Sequence, residues 1–186
     1  MPLKTIVKVG NISNLSDARY CSGMGVDMLG FRVIEGQPSY IAPKAFQEIR
    51  GWISGPKVVA EIYGIDDLDK IPAIIENYAP EFFEMTLPEF KKFGKDLPRP
   101  VIIKVGKASD ITGTPDRISY VIADEKSDDI PSAFPILIKP ESKEQLQQDL
   151  NRKKIQGVAL DGSAEERPGF KDYTDLADIL EFLDED

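Results

Sequence analysis

The stretch IVKVGNISNLSDARYCSGMGVDMLGF, residues 6–31, decides the architecture. With Thr5 in front, its β-branched run Thr5-Ile6-Val7 leads through Lys8-Val9 and stops at Gly10-Asn11. That is the pattern of a buried strand ending in a tight turn. A helix is predicted from about Ser16, with Asp17 in its first turn as a charge favoured by the helix dipole. A second apolar run, DMLGF at 27–31, then reads as a strand. Strand, helix and strand in so short a span predict a parallel βαβ unit.

The same alternation continues outward along the chain. Strands are predicted at 57–63, 81–85, 100–105, 118–124, 134–139 and 155–161. Pro43 suits the start of a helix whose apolar stripe is Ala45, Phe46, Ile49 and Ile53. A helix at 65–79 turns Leu68, Ile71, Ile74 and Ile75 inward, with Pro72 as a kink. Further helices are expected at 88–93, from Ser142 to about Asn151, and at about 173–183. Ser142 reads as an N-cap, with Gln145 completing a capping box. Eight strands alternating with about six helices predict an α/β fold, a compact (β/α)8 barrel in one domain over residues 1–186. The helices after strands five and six are shortened to a turn or two. An open doubly wound sheet is the competing architecture.

Composition narrows the function. The net charge of −9 argues against nucleic acid, whose phosphates need a basic surface, and against anionic membranes. No apolar run reaches the roughly 18 residues of a membrane span, and no signal peptide is evident, so a cytoplasmic setting is expected. The chain has no histidine, which removes His bases, triads and His metal sites. Its single cysteine, Cys21, excludes an internal disulfide and reads as a small buried residue of the first helix. No metal or cofactor is implied. Acid–base work is left to Asp, Glu, Lys, Tyr or Cys21.

Several segments now line up, in order, with one family. Lys8, Asp17-Ala18, Gly25, Asp27 and Leu29-Gly30-Phe31, the segment QPSYIAP (37–43), VIAD (121–124), and GVALDGSAEERPGFKD (157–172) with Pro168, Gly169, Lys171 and Asp172 resemble phosphoribosylanthranilate isomerases. The resemblance implies a (β/α)8 barrel and an Amadori-type isomerisation in tryptophan synthesis. It implies that Asp124, at the end of strand six, is the catalytic acid. It implies phosphate or substrate binding by Lys8, Gly162 and Ser163; strand seven lacks the family's glycine pair, and Lys139 offers a positive charge there instead. Several positions depart from the family pattern. Gly10 stands where the family has its cysteine base, with Asn11 in place of the next glycine. Ser39 stands where the family has an arginine that pairs with the substrate carboxylate. Glu84 would bring negative charge toward an anionic substrate.

Strand ends carry Lys8, Arg32, Glu61, Tyr63, Glu84, Lys104, Asp124, Lys139 and Asp161. Two arrangements are open at this point. Lysines and carboxylates pair with one another inside a closed mouth, or Lys104 or Lys139 serves as an amine nucleophile in a remodelled site. Three functions correspond: a divergent isomerase, an enzyme on a different small substrate, or a non-catalytic barrel that binds a ligand or partner. The implied partner is a small anionic molecule, and the chain is monomer or homodimer.

Overall fold

The computed structural model describes residues 3–107, 110–111, 116–124, 134–140, 142–151, 155–162, 165–167, 170–171 and 174–184. Eight parallel strands close into a barrel in sequence order: β1 Ile6–Gly10, β2 Met28–Arg32, β3 Lys57–Glu61, β4 Phe82–Thr86, β5 Val101–Val105, β6 Ile118–Ala123, β7 Ile136–Ile138 and β8 Gly157–Asp161. The seam between β1 and β8 is in register from Ile6↔Gly157 to Gly10↔Asp161. The barrel expectation holds, and the open sheet is excluded.

Alternation along each strand separates two cores. One side chain set faces the helices, among them Val7, Val9, Leu29, Phe31, Phe83 and Met85. The other fills the barrel interior with Met28, Val59, Phe82, Ile102, Ile122, Leu137 and Ala159. On β1 the inward set is Ile6, Lys8 and Gly10, so the alternation that buries Val7 and Val9 against helices drives a lysine into the barrel.

The helices are α1 Leu15–Gly23, α2 Pro43–Arg50, α3 Ile71–Tyr78, α4 Leu87–Phe93, α5 Lys143–Asn151 and α6 Thr174–Asp184. Asn14 caps α1 by accepting the Asp17 N–H at 2.9 Å. In α6 Leu176, Ile179, Leu180 and Leu183 form a buried stripe at helical spacing. Among the described residues no α-helix lies between β5 and β6 or between β6 and β7.

Three local expectations need correction. The helix expected at 65–79 is a 3-10 turn, Leu68–Lys70, followed by α3; Asp67 starts the turn by accepting the Asp69 N–H. Pro72 therefore sits in the first turn of α3, where its missing N–H costs nothing, and does not kink it. Ser142 does cap α5, accepting the Gln145 N–H at 3.2 Å, but the Gln145 amide reaches Asp149 instead of closing the box. A short antiparallel pair, β9 Glu165–Arg167 with β10 Phe170–Lys171, follows the barrel and was not anticipated.

Cys21 is fully buried on α1. Burial, then the charge of Asp17, pushes its thiol up to about 12. At about pH 8 a thiol reagent is therefore expected to label the native chain far more slowly than the denatured one. Equal rates would show that α1 does not cover this side chain. Among the described residues no helix is long and apolar enough to cross a membrane.

Candidate functional site: the charged mouth of the barrel

The C-terminal ends of barrel strands are where this architecture presents chemistry. Here the inner face beneath the mouth is filled by the chain's own charges. Lys8 is buried, with its Nζ 2.8 Å from Glu61 Oε1 and 2.5 Å from Glu84 Oε2. Glu61 and Glu84 are register partners on β3 and β4, so one ammonium bridges both carboxylates. Tyr63 donates its hydroxyl to Glu84 Oε1. Arg32 Nε lies 3.5 Å from Glu61 Oε2, and its guanidinium stacks over the Tyr63 ring at 5.3 Å.

Two glycines make this arrangement fit. Glu61 starts on β3, crosses β2 at Gly30 and reaches β1 at Gly10. There its two oxygens accept the Asn11 N–H at 3.1 and 3.2 Å. A Cβ added to Gly30 would lie 2.9 Å from Glu61 Cδ, and one added to Gly10 would lie 2.7 Å from Lys8 Nζ. Both would meet Glu61 Oε1 closer still. Gly10 has no left-handed backbone, so its place is set by space, and a larger residue there would have to displace the ends of the Glu61 and Lys8 side chains. Asn11 does adopt the left-handed region, with φ 54°, a conformation asparagine tolerates better than most residues. That is why asparagine serves where a glycine is expected after the strand.

Charges this deep must be paired. Burial alone would lower the Lys8 pKa, but the fields of Glu61 and Glu84 outweigh it, and the ammonium is held well above its ordinary value. Burial raises the Glu84 carboxyl, with Lys8 opposing. Burial, then Glu84, raises Tyr63.

A second cluster lies at the rim. Lys139 Nζ is 2.9 Å from Asp161 Oδ2. Asp124 and Lys104 are also electrostatic neighbours of Lys139, which brings four strand-end charges together. Burial would lower the Lys139 pKa, yet the bond to Asp161 raises it overall, so this amine stays protonated. An amine nucleophile needs the opposite shift. Burial would raise Asp161, and Lys139 more than reverses it.

The remaining residues singled out from the sequence are placed as follows. Asp124 is exposed just past β6, with its backbone N–H bonded to Val105 O at 3.1 Å. Gly162 is buried, and its N–H bonds to Gly10 O at 2.7 Å, extending the β1–β8 ladder. Ser163, Pro168, Gly169 and Asp172 lie outside the described residues. Ser39 is exposed, in the left-handed region at φ 61°. A cavity of about 250 Å³ lies beside Lys139, Pro140, Asp161, Leu176 and Ile179. Among the described residues no group of three or more Asp, Glu or Cys is placed to hold a metal ion.

Sequence reading had put Lys8, Glu61, Tyr63 and Glu84 at the mouth without naming the pairs. The missed signal was the pair of inward glycines on adjacent strands. Lys8↔Met28 and Val9↔Leu29 register brings Gly10 beside Gly30.

The barrel as a whole has solved counterparts. TrpF from Jonesia denitrificans superposes with a TM-score of 0.73 over 97% of both chains, at 12% identity. Phosphoribosyl anthranilate isomerase from Thermus thermophilus gives 0.70 over 96% of this chain and 98% of its own, at 20% identity. The fold is that of the phosphoribosyl anthranilate isomerases. The Thermotoga maritima enzyme agrees, with 0.70 over 97% and 98% of the two chains at 16% identity. No protein-family model matches the chain, and no curated protein matches it in sequence. Within the isomerase fold, this chain places Gly10 and the Glu61 carboxylate together at the end of β1.

Proposed function

We propose that the chain is a phosphoribosylanthranilate isomerase-like barrel that does not catalyse the isomerisation and acts as a cytoplasmic ligand- or partner-binding protein. The observation that carries this reading is the Glu61 carboxylate lying over Gly10. The isomerisation moves protons between adjacent atoms and needs a base facing an acid. The resemblance puts that base at Gly10, where even a Cβ would meet Glu61 Oε1.

Charge supports the same reading. One of the similar structures holds reduced 1-(o-carboxyphenylamino)-1-deoxyribulose 5-phosphate, which carries a carboxyl and a phosphate group. A ligand of that kind needs a surplus of cations. Here Lys8, Arg32, Lys104 and Lys139 face an equal number of carboxylates: Glu61, Glu84, Asp124 and Asp161. Lys8 and Lys139 are already paired at 2.8 and 2.9 Å.

Turnover of phosphoribosylanthranilate, followed by loss of substrate fluorescence, tests this. The purified protein is expected to stay at the background rate, and Asp124→Asn to change nothing. Turnover that disappears in Asp124→Asn would establish a divergent isomerase with another group as base.

A further inference from the structure

The barrel end opposite the mouth holds a cavity of about 310 Å³. That is the lower end of the usual range for small-molecule pockets, and room for about ten waters at ~30 Å³ each. Its floor is the lowest interior layer, with Met28 and Phe82 buried and Ile6 and Tyr120 half-buried. The Phe82 and Tyr120 rings meet edge-on, 6.0 Å apart. An aromatic body finds apolar contact and ring edges there.

Two opposite charges stand at the rim and are kept apart. Asp27 and Lys57 are backbone neighbours, since the Lys57 N–H donates to Asp27 O at 2.9 Å. Their side chains nevertheless diverge. Asp27 Oδ2 turns to β1 and accepts the Val7 N–H at 2.8 Å. Lys57 Nζ turns to β4 and lies 5.7 Å from the Phe82 ring centre. Among the described residues neither forms an ion pair. Oppositely charged neighbours usually close on one another. Here Asp27 is held by β1 and Lys57 lies over the Phe82 ring, both exposed at the cavity rim.

We propose that this cavity binds a small zwitterion with an aromatic body, its ammonium on Asp27 and its carboxylate on Lys57. The site lies at the other end of the barrel from the mouth, so it stands or falls separately from the loss of isomerase chemistry.

L-Phenylalanine is the probe, read by calorimetry and by the fluorescence of Trp52. This is the only tryptophan; it is 69% exposed and lies two residues before Ser54 of the cavity rim. Saturable binding is expected. Phenylpropionate, which lacks the ammonium, and phenethylamine, which lacks the carboxylate, should each bind about tenfold more weakly, as loss of one charged hydrogen bond predicts. Asp27→Asn keeps an acceptor for the Val7 N–H, and Lys57→Met keeps the stem over Phe82. Each should weaken L-phenylalanine about tenfold while leaving the unfolding midpoint in place. No saturable binding would overturn the proposal, as would equal binding of the three probes or unchanged binding by both variants.

Discussion

Lys8→Met is expected to lower the unfolding free energy by about 3–5 kcal/mol, the cost of removing one partner from a buried charge cluster. Methionine fits the stem, so little of the loss is packing. The loss comes from Glu61 and Glu84, which keep each other's negative charge and lose the ammonium 2.8 and 2.5 Å away. A triple variant, Lys8→Met with Glu61→Gln and Glu84→Gln, removes the charge problem and keeps an acceptor for the Asn11 N–H. It is expected to recover most of the loss, because uncharged replacements of buried ion clusters are near neutral. If the triple variant is no more stable than Lys8→Met, the lysine matters for its shape and not for its charge. The pH dependence separates these further. Glu84 already has a raised pKa from burial, and without Lys8 it rises more. A raised carboxyl contributes fully below its unfolded value of about 4.3 and loses that contribution as pH climbs through the folded value. The deficit of Lys8→Met should therefore be smaller near about pH 5 than near about pH 8. Wild-type Lys8 runs at the other end of the scale. Its raised pKa stabilises fully below the unfolded lysine value of about 10.4 and fades only above it.

The strands were legible because short β-branched apolar runs and their turn residues are local signals. All eight appear within two residues of their expected starts. The break before α3 was not legible, because the Asp67 cap competes with an otherwise continuous apolar stripe. At the mouth, the charged residues were legible from their places at the ends of the strands. Their pairing did not, because Glu61 reaches past a neighbouring strand. That reach depends on two absent side chains, Gly10 and Gly30, brought together only by barrel register. Read alone, Gly10 is a missing base. Read beside Gly30, it is also half of a notch. Asp124 was placed at a strand end by sequence and lies there, but which way it serves depends on Lys104 and Lys139, which come from other strands.

Gly10→Cys, made to restore the missing thiol, is expected to destabilise the protein and to give no isomerase activity, even with Ser39→Arg. A well-packed site that must accept an extra group loses about 1–3 kcal/mol. The new Cβ meets Glu61 Oε1 and sits 2.7 Å from Lys8 Nζ, so it presses on the two groups that neutralise each other. The conclusive measurement is a double-mutant cycle with Glu61→Ala. Removing Glu61 empties the space above Gly10 and leaves Lys8 paired with Glu84 alone, one cation to one carboxylate. The two changes should then be strongly non-additive. Gly10→Cys should cost much less in the Glu61→Ala background, with a coupling of about 1 kcal/mol or more, as expected for groups competing for one volume. Additive losses would mean that Glu61 moves aside freely, and the notch would not explain the glycine. If the coupling is present, thiol and carboxylate exclude one another at the end of β1. A cysteine at position 10 could then be accommodated only after Glu61 had gone, which makes the Lys8–Glu61–Glu84 cluster the feature that keeps glycine at the end of β1.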